Sequence, residues 1–195
     1  MNTVFVDVDT QLDFLCPAGA LYALGAEKVA PALAALTSYA AEHGIKIVST
    51  IDAHTENDPE FQIWKPHCVA GTAGQQKISL SLLEKRCVIP NEGQFDDAAA
   101  NASQQVIVEK QTVDPFTNAH LVSVVQSLHP CRFVVYGLVT EVCIHHAVLG
   151  LLRHNPTVEI VTDAIRPFSE TAGEQAIIKL VAAGAKLTNV AAITG

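Results

Sequence analysis

The chain has 195 residues, 49% hydrophobic and 16% charged, which suits one compact α/β domain spanning residues 1–195. Its formal net charge is −8 and its lysines and arginines are scattered, so nucleic acid is excluded as an expected partner. No apolar stretch approaches the roughly 18 uncharged residues of a membrane span, and no basic segment precedes the first apolar run, so the expectation is a cytoplasmic protein without a membrane partner.

In chain order, a β-branched run from Thr3 to Val8 predicts a buried strand and is followed by Asp9-Thr10-Gln11-Leu12-Asp13-Phe14. Ala and Leu at helical spacing predict a helix over Glu27 to His43, with Gly44 where a C′ glycine belongs. A second strand, Ile45 to Ile51, leads into Asp52-Ala53-His54. From Asp52 to Lys85 the pattern is irregular and contains Glu60, Trp64 and His67; loops of that length in a compact domain are usually functional. Strands follow at Arg86 to Ile89 and Val106 to Val108, the latter ending in Glu109-Lys110. A helix over Thr117 to Leu128 precedes a strand at Phe133 to Tyr136, and Gly137-Leu138-Val139-Thr140-Glu141-Val142-Cys143 comes next. Helices over Val142 to His154 and Ser169 to Ala183, the second stopped by Gly184, flank a strand at Val158 to Val161.

This alternation predicts a three-layer α/β/α fold with a central, mainly parallel sheet, because right-handed crossovers place helices on both faces. Ligands then bind beyond the carboxyl ends of the strands, so the polar residues after each apolar run are the ones to examine.

The five cysteines, at 16, 68, 87, 131 and 143, are odd in number and lack CxxC spacing, which argues for free thiols rather than a zinc knuckle or a disulfide framework. Cys87 and Cys131 flank apolar runs and read as small buried hydrophobes. Cys143 stands where a loop turns into a helix, a position whose backbone N–H groups and helix dipole favour thiolate. With Lys110 to hold that thiolate and Asp9 to move protons, it would form a set for acyl transfer. Read singly, Cys143 is also a buried helix residue, Lys110 a surface charge and Asp9 a turn residue, and spacing does not bring together residues a hundred positions apart. Asp52, His54, Glu60 and His67 offer two imidazoles and two carboxylates within sixteen positions. They are read either as ligands of one divalent ion, Zn²⁺, Mn²⁺ or Fe²⁺, or as solvated loop residues. Phe14 and Trp64 are core residues or walls for a flat ring, and of the neighbours His145 and His146 at least one is structural.

Together these segments resemble the isochorismatase-like cysteine hydrolases, and among them the nicotinamidases. Asp9-Thr10-Gln11-Leu12-Asp13-Phe14 is similar to the family's opening Asp-x-Gln-x-Asp-Phe, and Trp64 through Thr72 to its Trp-x-x-His-Cys-Val-x-Gly-Thr. Gly137 through Cys143 resembles the loop carrying the nucleophile, and Lys110 stands at the position of the family lysine. The resemblance implies a catalytic triad of Asp9, Lys110 and Cys143, a cis peptide before Val139, and an oxyanion hole from the Val139 and Cys143 amides. It also implies a metal on Asp52, His54 and His67, with Glu60 where many relatives have a histidine, and a ring-binding wall from Phe14, Trp64 and Phe116. It implies hydrolysis of nicotinamide through a cysteine thioester, no organic cofactor, and a homo-oligomer, dimer or tetramer. The residues after Lys110 depart from the nicotinamidase pattern, so another small amide, ureido or carbamoyl substrate handled without a metal stays open, as does a non-catalytic binding protein of the same fold.

Overall fold

The computed structural model describes residues 2–154 and 157–195. Its centre is a sheet of β1 (Thr3–Val8), β2 (Lys46–Asp52), β3 (Arg86–Ile89), β4 (Gln105–Lys110), β5 (Arg132–Leu138), β6 (Val158–Arg166) and β7 (Lys186–Thr188). The spatial order is β3-β4-β2-β1-β5-β6-β7, and every pairing is parallel, as the alternation of elements required.

The helices among the described residues are α1 (Leu12–Leu15), α2 (Ala30–His43), α3 (Asp97–Ala102), α4 (Ala119–Ser127), α5 (His145–Leu152), α6 (Glu170–Ala182) and α7 (Val190–Thr194). Side chains alternate across the strands into two cores. Val4, Val6, Val8, Phe133 and Val135 pack with Leu121, Val124, Ala147 and Val148 of α4 and α5, whereas Phe5, Val134 and Tyr136 pack with Leu33 and Leu36 of α2 and Ile193 of α7.

Several boundaries differ from the sequence pattern for identifiable reasons. The helix expected from Val142 begins instead as a π-helical turn, Thr140–Ile144, and becomes α-helical only at His145. The helix expected from Glu27 starts as a 3-10 turn over Ala26–Val29, because Pro31 fits only the first turn of the α-helix that follows. The last full strand continues past Val161 to Arg166 through the polar pair Thr162-Asp163, which ends the apolar signal but not the pairing. The helix α3 and the strand β7 were not foreseen, since six and three residues give too few repeats to show a period.

The five cysteines are free, but Cys131 is exposed and Cys87 only half-buried, which corrects their reading as buried hydrophobes: each sits at or beside the amino end of a strand near the edge of the core. No described helix is long and apolar enough to cross a membrane.

A buried ion pair fastens the strand ends from below. Lys77 Nζ lies 2.9 Å from Asp7 Oδ2, and Thr10 and Ser49 donate to the same carboxylate at 2.9 and 3.2 Å. Removing one partner leaves a buried charge uncompensated, so Asp7→Asn is expected to lower stability by about 3 kcal/mol in urea titration; a loss under about 1 kcal/mol would show that the pair is not a structural fastener.

Candidate active site

Four adjacent strands, β4, β2, β1 and β5, deliver polar residues to one point at their carboxyl ends. The register sets the height: Asp52 of β2 pairs with Lys110 of β4, and Val8 of β1 pairs with both Thr50 and Gly137. Gly137 has φ 117, and a Cβ there would lie 2.0 Å from the Val8 carbonyl oxygen, so only glycine lets β5 run this close to the strand that ends in Asp9. The next residues enter through a cis peptide between Leu138 and Val139 and lead to Cys143. Asp9 itself has φ 48, a conformation unusual outside glycine.

Lys110 is the hub. Its fully buried ammonium lies 2.9 Å from Asp9 Oδ2, donates to Asp52 Oδ1, and reaches Cys143 Sγ at 3.7 Å. Thr50 Oγ1 donates to the other oxygen of Asp9 at 2.6 Å. Burial works against the ammonium, but Asp52 and Asp9 outweigh it and hold Lys110 charged, well above its usual range. Burial raises the Asp9 carboxyl, Lys110 opposes that rise, and Asp52 reinforces it. Burial also pushes the Cys143 thiol well above its ordinary value; Lys110 pulls the other way, and Asp9 and Asp52 add to the rise. These effects favour the thiol over the thiolate that its place before a helix suggested, because desolvation and two carboxylates work against the single ammonium.

On the other side of Asp52 sit the two imidazoles. Asp52 Oδ2 is 3.6 Å from His67 Nε2 and 3.9 Å from His54 Nε2, and one ligand atom from each of the three residues falls within 4.8 Å of the others. The far nitrogen of His67 is held as a metal-ligating histidine requires, its Nδ1 meeting the Lys65 carbonyl at 2.7 Å, whereas His54 Nδ1 lies 3.1 Å from Asp58 Oδ2 without a hydrogen bond to it. The buried Nε2 of His54 has no hydrogen-bond partner, and carboxylates outnumber the lysine. An orphaned imidazole nitrogen beside surplus negative charge fits a divalent cation. Glu60 stands at the rim, with Oε2 3.3 Å from His54 Nε2 and Oε1 accepting the Val113 N–H at 3.1 Å, so it lies outside the compact trio.

The three aspartates of the opening segment divide the work. Asp7 pairs with Lys77, Asp9 with Lys110, and Asp13 accepts the backbone N–H groups of Ala20 and Cys68 at 2.9 and 2.7 Å, which secures the loop bearing His67. Gln11 fixes Asp52 through both its backbone N–H and its carbonyl, each at 2.8 Å.

The cleft over Cys143 is lined by Phe14, Leu21, Asp52, Glu60, Trp64, His67, Val113, Val139, Val142 and Phe168. A larger cavity of ≈ 480 Å³ opens between β6 and α6, but its lining contains no thiol, imidazole or lysine, so chemistry rather than size selects the site. The structure thus gathers Asp9, Lys110, Cys143, Val139, Asp52, His54, His67, Glu60, Phe14 and Trp64. Phe116 is the exception and corrects the expected ring wall. Asp114 caps the 3-10 turn Pro115–Thr117 and turns Phe116 away, onto Gly150 and the His154 ring at 5.6 Å, while Val113 faces the cleft in its place. His145 and His146 line neither side of the cleft.

Sequence reasoning missed Asp58, Gln11 and Phe168. Asp58 precedes Pro59 and so reads only as a turn cap, which it also is, accepting the Glu60 N–H at 2.9 Å. Phe168 carries no signal in the sequence because the apolar run stops at Val161, whereas β6 continues to Arg166 and so places Phe168 just beyond its carboxyl end.

The sequence matches the isochorismatase domain family over residues 3–192. No curated protein matches it. Among solved structures, it is similar to a pyrazinamidase of Pyrococcus horikoshii crystallised with zinc, at 25% identity and a TM-score of 0.82 over 97% of this chain and 99% of that one. A nicotinamidase/pyrazinamidase of Bacillus subtilis superposes with a TM-score of 0.82 at 22% identity, over 97% of this chain and all of the other, at 100%. An N-carbamoylsarcosine amidase of Thermoplasma acidophilum does so at 0.77 and 21%, over 97% of each chain. A family match that runs from the first strand into the last helix, over a fold shared along nearly the whole length of these structures, means that the chain belongs to the isochorismatase family.

Proposed function

We propose that the protein is a cysteine amidohydrolase that converts nicotinamide and water to nicotinate and ammonia. The observation that carries this reading is the buried ammonium of Lys110 in simultaneous contact with Asp9, Asp52 and the Cys143 sulfur, beside a preformed trio of metal-type ligands. A buried charge cluster of this kind is weak evidence for a purely stabilising role, since apolar residues of similar volume often stabilise as well or better.

Cys143 enters the reaction as a thiol and gives its proton to Asp9, whose carboxyl is already raised towards the thiol and is therefore a competent acceptor. The sulfur attacks the carboxamide carbon, and the backbone N–H groups of Val139 and Cys143 receive the oxyanion, each donor being worth about 3 kcal/mol. The carbon–nitrogen bond breaks as Asp9 returns the proton to the departing ammonia, leaving a thioester on Cys143. Asp9 then takes a proton from water, the water oxygen adds to the thioester carbon, and the sulfur leaves and recovers its proton. Lys110 keeps its charge throughout and stabilises the sulfur as it becomes anionic.

Asp52, His54 and His67, with Glu60 at the rim, would hold a divalent ion such as Zn²⁺, Mn²⁺ or Fe²⁺, whose Lewis acidity binds a ring nitrogen and so orients the heterocycle. Phe14 and Trp64 line the cleft that such a ring would enter. The zinc in the Pyrococcus pyrazinamidase supports this assignment.

Ammonia release from nicotinamide, pyrazinamide, N-carbamoyl compounds and short aliphatic amides tests the substrate directly; turnover confined to the N-carbamoyl compounds would replace nicotinamide with a ureido substrate. Cys143→Ala is expected to abolish turnover in a folded protein. Asp9→Asn and Lys110→Ala are each expected to cost about three orders of magnitude or more in kcat and to be non-additive with Cys143→Ala. Retained activity in Cys143→Ala would eliminate the thioester route.

Chelation gives a second expected outcome. Dialysis against a strong chelator should greatly reduce hydrolysis of pyridine and pyrazine carboxamides, and re-addition of Zn²⁺, Mn²⁺ or Fe²⁺ should restore it. Elemental analysis finding under roughly a tenth of an equivalent of transition metal, with full nicotinamide turnover, would remove the ion from the account.

A further inference from the structure

The corner that joins β6 to α6 closes one side of the cleft through Phe168, and it is fastened from two directions. Glu141, in the same turn as Cys143, accepts the Phe168 N–H with both carboxylate oxygens, at 3.0 and 3.3 Å, and the Ser169 N–H at 2.9 Å. On the far side Gly173 of α6 admits Pro167, since a Cβ at position 173 would lie 2.6 Å from Pro167 Cβ. The backbone of Phe168 is thus held by the turn that carries the nucleophile and by the helix that follows it.

The ring of Phe168 lies 5.8 Å from that of Trp64, tilted by 36°, and both line the cleft with Phe14 and Cys143. With the aromatic side chains so placed, the cleft has a volume of ≈ 10 Å³, no more than a single water requires. A heterocycle enters only when one of the walls turns. Phe14 is buried and packed on His67 at 5.3 Å, whereas Phe168 and Trp64 are half-buried at the mouth.

We infer that Phe168 is a specificity-determining wall of the cleft that selects flat aromatic carboxamides, and that Glu141 is a positioning residue fixing the backbone about which the Phe168 ring turns. The substrate class rests on the amidohydrolase reading above; the placement of the ring does not. Glu141 makes no contact with the Asp9, Lys110 and Cys143 side chains in the hydrogen-bond network, so its effect on the reaction runs through Phe168.

Trp64 is the single tryptophan of the chain, so its emission reports this corner alone. Phe168→Ala and Glu141→Ala should shift Trp64 emission and increase its quenching by acrylamide in the same direction, with the double variant no worse than Phe168→Ala. Each should raise KM for nicotinamide by about 3- to 10-fold, the size of one lost aromatic contact, with kcat within about twofold and a smaller rise in KM for acetamide. Unchanged Trp64 emission in Glu141→Ala, or an equal loss of kcat on nicotinamide and acetamide at unchanged KM, would overturn the positioning role. If Glu141→Ala fails to fold, Gly173→Ala, which drives a Cβ into Pro167, must reproduce the Trp64 shift; its absence there overturns the inference equally. Lack of nicotinamide turnover by the unaltered protein overturns the aromatic substrate class, while the Trp64 comparison, which needs no substrate, separately decides whether Glu141 holds Phe168.

Discussion

A single ammonium, fully buried between two carboxylates, is what the rest of this structure is arranged to satisfy. Moving Lys110 out of water costs several kcal/mol, and so does each of its partners; the mutual attraction offsets this only if all three meet at hydrogen-bond distance. They are drawn from three strands, so the register of β1, β2 and β4 has to be correct to one residue. A slip of one position would turn Lys110 to the opposite face of the sheet and leave it alone there. The all-parallel order and the electrostatics of the site are therefore one constraint expressed twice.

Asp52 joins what would otherwise be two separate sites. One oxygen accepts from Lys110 and the other faces His54 and His67, so the Asp9–Lys110–Cys143 cluster and the Asp52–His54–His67 trio share a carboxylate. Burial alone would raise this carboxyl; Lys110 and the two imidazoles more than cancel that effect and hold it below its ordinary range. Asp9, where burial and the neighbouring Asp52 outweigh Lys110, is left above its own. Two chemically identical side chains a few ångströms apart are thereby separated into one carboxyl held low and one held high, the condition under which paired carboxylates can take different roles.

The supporting residues show the same economy. Gln11 grips the backbone of Asp52, Asp13 grips the loop that bears His67, and Asp58 both caps a 3-10 turn and faces His54. Each uses a hydrogen bond that the local backbone needs in any case, so positioning the reactive groups adds little cost beyond folding itself.

What the sequence determined by itself was the layer architecture and the set of strand ends. Apolar runs of strand length alternating with helical patterns permit little besides a parallel sheet, and polar residues following such runs must lie at its carboxyl edge. Asp9, Asp52, Lys110 and Cys143 were legible in that way, and the motif around Trp64 and His67 was legible by resemblance. Three things belonged to the tertiary structure alone. Proximity decided the first: that Lys110 touches Asp52 as well as Asp9 depends on strand order, which no local pattern encodes. Burial decided the direction in which the Cys143 thiol shifts, because the desolvation that opposes Lys110 comes from the whole surrounding core rather than from neighbours in sequence. Direction decided the aromatic wall: Phe116 and Phe168 are both aromatic residues on connections between elements, but a turn capped by Asp114 sends the first onto α5, and the carboxylate of Glu141 holds the backbone of the second beside the cleft that Cys143 lines.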